Sequence, residues 1–196
     1  MRILALAAFA LALVPGAALA HTGVGIEHDL AHGFLHPIGG IDHILAMVAV
    51  GVFAFVLGGR ALYLVPLAFV GMMVVGFLLG LAQVDLPFVE LGIALSSVVI
   101  GGVAALGRPM PVIAASALVG LFAVFHGVAH GAEMPADAAG WQYALGFVAA
   151  TAMLHLVGIA AALGVSRLAG RFGKPLAQGA GALFAVAGLG VLAGWL

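Results

Sequence analysis

The chain has 196 residues, of which 65% are apolar and another 30 are glycine, while only 7% are charged. Six basic and seven acidic side chains give a formal charge of −1, and cysteine is absent. Soluble domains carry about 25% charged residues, so the composition excludes a cytosolic enzyme, a disordered tail and a coiled coil; it also leaves no basic patch for nucleic acid and no disulfide or thiolate metal site.

Met1-Arg2, the apolar run Ile3–Val14, Pro15-Gly16 and Ala18-Leu19-Ala20 follow the order of a secretory signal peptide. Residues 1–20 are therefore expected to be cleaved, leaving 21–196 as one transmembrane domain that starts at His21. A spanning helix needs about 20 apolar residues at 1.5 Å each. Six stretches qualify: 40–58, 62–82, 88–107, 111–131, 141–164 and 176–195. They are broken at Gly58-Gly59-Arg60, Asp85-Leu86-Pro87, Arg108-Pro109, 134–140 and 167–175. The expected fold is an all-α integral membrane protein with six transmembrane helices after a cleavable signal peptide.

Charge sets the expected orientation. After Arg2, every basic residue falls in alternate connections: Arg60, then Arg108, then Arg167, Arg171 and Lys174. Basic loops stay on the cytoplasmic side, which puts both mature termini outside. Gly76…Gly80, Gly127…Gly131 and Gly190…Gly194 have the spacing that lets helices approach closely in lipid.

Polar residues are concentrated rather than scattered. Upstream of the first span, His28, His32 and His36 recur every four residues, one face of a short helix. Next comes His36-Pro37-Ile38-Gly39-Gly40-Ile41-Asp42-His43, where Pro37 suits a broken approach to the span and Gly39-Gly40 lets the backbone bend. A carboxylate in a span, such as Asp42, marks function by default, and its simplest role is to orient a histidine ring. In the fourth helix, His126, His130 and Glu133 fall within an arc of about 60° and project from one face. Imidazole and carboxylate donors suit nickel, zinc, cobalt or copper(II). His21, as a mature N-terminus, could chelate through its amine and ring. Glu90 is a second intramembrane carboxylate, and His155 with Thr151 one turn before it reads as a hydrogen-bonded pair or a further ligand.

With these residues assembled, the chain resembles the HupE/UreJ family of nickel permeases and accessory proteins of hydrogenase and urease operons. Two motifs carry the resemblance: H-P-x-x-G-x-D-H at His36–His43 and F-H-G-x-A-H-G-x-E at Phe125–Glu133. It implies uptake of nickel, or cobalt, with His36, Asp42, His43, His126, His130 and Glu133 as the functional positions; His21, His32, Glu90 and His155 are secondary candidates. It also implies hydrogenase or urease maturation proteins as partners beside the lipid bilayer, and no prosthetic group. The spacing by itself indicates only a divalent metal ion. Lys174 stands in Gly-Lys-Pro and cannot complete a P-loop, so the expected transport is passive or secondary. Two other readings use the same residues: a membrane-embedded zinc hydrolase, and a metal-binding accessory protein without transport.

Overall fold

The computed structural model describes residues 26–134 and 140–195, and these are helical with no strand among them. The expected signal peptide and His21 lie outside the described residues. Seven helices follow in order: α1 (Ile26–Gly39), α2 (Ile41–Leu57), α3 (Ala61–Leu81), α4 (Val89–Leu106), α5 (Val112–Ala132), α6 (Gly140–Ala169) and α7 (Gly173–Leu192). A single 3-10 turn, Gly170–Phe172, joins the last two. Each apolar stretch expected to span overlaps one helix from α2 to α7 to within a few residues, apart from the C-terminal end of α6, which runs on to Ala169.

Among the described residues four helical stretches, or five if the bent α1–α2 pair is one span, are long and apolar enough to cross a membrane. The last of the four is the whole Gly140–Leu192 run. The chain reverses within it: Gly170 takes a left-handed φ of +54°, and Ala162 and Ala177, on either side of the turn, pack into one cluster with Val52 and Val56. Pro175 sits in the first turn of α7, where a missing amide proton costs no helical hydrogen bond. Leu67, Leu78, Leu121, Leu156 and Leu183 remain exposed on four different helices. Apolar exposure on this scale is what a lipid-facing surface requires, and the chain is a multi-pass membrane protein.

Glycine sets the helix pairing. Gly76 and Gly80 of α3 lie against the backbone at Val124 and Val128 of α5, while Gly127 and Gly131 lie reciprocally against Met73 and Phe77. Two of the three glycine pairs in the sequence thus meet each other. Gly51 against Gly158 joins α2 to α6, and Gly101 against Gly181 joins α4 to α7. In lipid such contact works through van der Waals approach, since chain burial wins no hydrophobic energy there. The third pair is different: Gly190 is buried, but Gly194 has φ +69° with nothing near it and lies beyond the end of α7. It ends the helix rather than packing it.

The short helix α1 extends to Gly39 and meets α2 at 83°. Pro37 cannot donate to the Gly33 carbonyl, which loosens the last turn of α1, and Gly40 is extended at φ −99°, ψ 122°. α1 folds over the N-terminal end of α6, with Gly33 on the backbone of Tyr143 and Gly146 on that of Leu30. This corner brings the first histidine motif back onto the bundle.

Candidate metal centre

The α3–α5 contact fixes how α5 is rotated. Its glycines at 127 and 131 face α3, so the histidines one residue earlier point about 100° away, toward the corner made by α1, α2 and α6. Both His126 and His130 are fully buried there. Glu133 follows at the exposed end of α5, and His36, Asp42 and His43 come from the two arms of the α1–α2 bend. The six expected ligand residues therefore form one cluster.

The rings touch in sequence. His32 meets His36 at 6.2 Å between centroids, His36 meets His130 at 5.1 Å, His130 meets His43 at 5.0 Å and His43 meets His126 at 5.0 Å. All are edge-on or steeply inclined, and His130 also stacks flat on Phe147 at 4.9 Å. Side-chain exposure is 52% at Glu133 and 31% at His36, 13% at His43, and nil at His126 and His130. The cluster therefore has an exposed end at His36 and Glu133 and buried members at His126 and His130.

Hydrogen bonds fix which nitrogens are left to bind. Glu133 Oε2 accepts from His36 Nε2 at 2.9 Å. Asp42 Oδ1 accepts from the His43 backbone N–H at 2.8 Å and from His43 Nδ1 at 3.0 Å, so the lone pair of His43 is on Nε2. His126 Nδ1 donates to the Phe122 carbonyl at 2.9 Å, which likewise leaves its lone pair on Nε2. Both Nε2 atoms are buried without a partner, and so are both nitrogens of His130. An orphaned buried polar group costs about 1–3 kcal/mol, so three such rings in one place have several kcal/mol to regain from a species that accepts their lone pairs. A carboxylate or carbonyl holding the far nitrogen is also how proteins orient histidine toward a metal. Among the described residues no three donors already converge as a closed set; the pairs His36–Glu133 and Asp42–His43 satisfy one another, and ligation requires ring rotation.

The other candidates separate by position. His32 is exposed at the mouth, touching His36 and Tyr143. Glu90 is exposed in the first turn of α4, outside the stack of rings. His155 lies deeper, across Phe69 from His126, with the Phe69 ring 5.5 Å from one and 5.1 Å from the other. The expected Thr151–His155 bond is not formed: the Thr151 hydroxyl donates to Met73 Sδ at 3.6 Å, because Met73 of α3 faces that turn of α6. Ser96 and Ser97 donate to carbonyls of their own helix, at Ile93 and Ala94. Sequence reasoning missed the aromatic wall of Phe69, Phe77, Tyr143 and Phe147, and the buried unpaired atoms Tyr143 Oη and Gln142 Oε1. A glutamine and a tyrosine adjacent at the start of an apolar span were the available signal.

The chain is 44% identical over 185 residues to Protein HupE of Rhizobium leguminosarum bv. viciae, covering 94% of each chain. No solved structure matches it. The HupE / UreJ protein family model matches residues 9–191, which include both histidine motifs and every helix of the bundle, and the chain belongs to that family.

Proposed function

We propose that this protein is a secondary or passive permease that carries a divalent transition-metal ion, nickel or cobalt, into the cytoplasm. The observation that carries the reading is the line of five imidazoles from exposed His32 to buried His126, in which His43, His126 and His130 each keep one lone pair among four buried ring nitrogens that have no partner. A hydrated dication meets His32, His36 and Glu133 first and exchanges water for imidazole one ring at a time. The choice of nickel rests on the family resemblance together with a donor set of nitrogen and carboxylate oxygen.

The direction rests on charge. With basic loops inside, six spans, a cleaved leader and both termini outside, the exposed His36–Glu133 end of the cluster faces away from the cytoplasm. The reversal at Gly170 supports counting α6 and α7 as separate spans. An inside-negative potential supplies about 2.3 kcal/mol per charge per 100 mV, and twice that for a dication, without ATP. Hydrogenase or urease maturation proteins are the receiving partners that the resemblance implies.

Purified protein in liposomes under an imposed potassium diffusion potential provides the test. Ni²⁺ or Co²⁺ should enter in proportion to the potential, and His130→Ala should abolish that flux. Binding without potential-dependent entry of Ni²⁺, Co²⁺ or Zn²⁺ would instead make the chain a metal-binding accessory protein.

A further inference from the structure

Tyr143, near the start of α6, is fully buried, yet its hydroxyl has no hydrogen-bond partner among the described residues. The ring is clamped. Its backbone lies against Gly33 of α1, Phe77 stacks on it at 6.4 Å with 20° between planes, and Phe147 meets it edge-on at 6.0 Å. A phenylalanine would fill the same space and strand no polar atom. An orphaned hydroxyl held this firmly costs free energy in the ion-free protein, so its use lies with a group that moves to it.

The surroundings say which group. The ring stands 5.7 Å from His32 and 6.1 Å from His36, at the exposed end of the cluster, and the charge of Glu133 acts on the hydroxyl through space. Glu133 is 52% exposed and spends Oε2 on His36 Nε2 at 2.9 Å. Coordinating a cation breaks that pairing, and the carboxylate oxygen turned away from the ion is left without a donor. A phenol has an O–H to give, and its bond to a carboxylate is among the stronger ones. Asp42, the other carboxylate of the cluster, already accepts twice from His43.

We infer that Tyr143 is a positioning residue for Glu133: on loading, the carboxylate leaves His36, accepts the Tyr143 O–H at one oxygen and offers the other to the ion. This rests on the permease reading and deepens it. Glu133 then has two positions, held by His36 when the cluster is empty and by Tyr143 when it is loaded. Ligating carboxylates are held in this way by outer partners, whose loss lowers metal affinity about 10–100-fold.

The test is calorimetric Ni²⁺ titration of purified wild type, Tyr143→Phe, Glu133→Ala, the double variant and His130→Ala. Tyr143→Phe should melt no earlier than wild type without the ion, since the ring stays and no hydrogen bond is lost, yet bind Ni²⁺ at least about tenfold more weakly. A ring that served only for packing would leave the affinity unchanged. In the Glu133→Ala background the same substitution should cost less than about twofold, because residues acting through one contact are not additive. Tyr63 and Tyr143 are the two tyrosines of the chain, so the change in tyrosine absorbance on adding Ni²⁺ can be assigned: Tyr63→Phe should keep it and Tyr143→Phe should lose it. Wild-type affinity in Tyr143→Phe, an equal loss with and without Glu133, or no change in tyrosine absorbance on loading overturns the inference alone. Failure of wild type to bind Ni²⁺, or undiminished binding in His130→Ala, overturns the permease reading and the inference with it, so the two failures are distinct.

Discussion

Gly40→Ala separates the orientation of His43 from the presence of its ligand atoms. Gly40 is extended at φ −99°, ψ 122°, a conformation any residue adopts, so the backbone accepts alanine. The new Cβ would lie 2.7 Å from Asp42 Oδ1 and 3.1 Å from His43 Nδ1, closer than packed atoms approach. The carboxylate must swing aside and give up both hydrogen bonds from His43. Bonds to a charged group contribute about 1.5–3 kcal/mol each, enough to free the imidazole from its set tautomer and angle. Losing such an outer partner lowers metal affinity about 10–100-fold, or roughly 1.4–2.8 kcal/mol. Radiolabelled nickel uptake against concentration should therefore show a half-saturation point raised by at least about tenfold, with protein abundance in the membrane unchanged. Gly39→Ala is the control, since nothing lies within 4 Å of its added methyl, and should transport normally. Wild-type half-saturation in Gly40→Ala would refute the claim that Asp42 orients His43 for the ion.

Two further outcomes follow from packing and protonation. Gly127→Ala drives a methyl into the Met73 carbonyl and the Phe77 amide of α3, backbone that cannot move aside, so the variant should lose about 1–3 kcal/mol and show a lower midpoint of heat-induced aggregation in detergent; an unchanged midpoint would mean that α3 and α5 are not in close contact. Imidazole binds metal only when neutral, and its reference pKa is about 6.5, so outward acidification to about pH 5.5 should reduce nickel uptake while alkaline shifts leave it level. Uptake that rises on acidification would indicate proton-coupled entry in place of competition at the histidines.

How far the sequence could be read differs between the fold and the site. Helix positions were legible because each break is chemically marked: Gly58-Gly59-Arg60 ends α2, where Gly58 has φ +70°, and Gly107 at φ +57° ends α4. The candidate set of His36, Asp42, His43, His126, His130 and Glu133 was legible as donor types, since helical spacing alone puts 126, 130 and 133 on one face. Their convergence with 36–43 was not, because it depends on an 83° bend and on how α5 is rotated against α3. The Thr151–His155 pairing failed for a related reason: spacing along one helix ignores what the neighbouring helix presents, and Met73 takes the hydroxyl.

Composition and charge, by themselves, determined that this chain lives in lipid, where its helices begin and end, and which side chains can bind a cation, because these follow from hydrophobicity, backbone chemistry and donor type at each position. Tertiary structure decided the rest: that imidazoles from α1, α2 and α5 line up at about 5 Å, that Phe69 divides them from His155, and that four nitrogens are left unpaired. In a bilayer no solvent satisfies a buried polar atom, so partners come only from the neighbours that close helix packing brings into place.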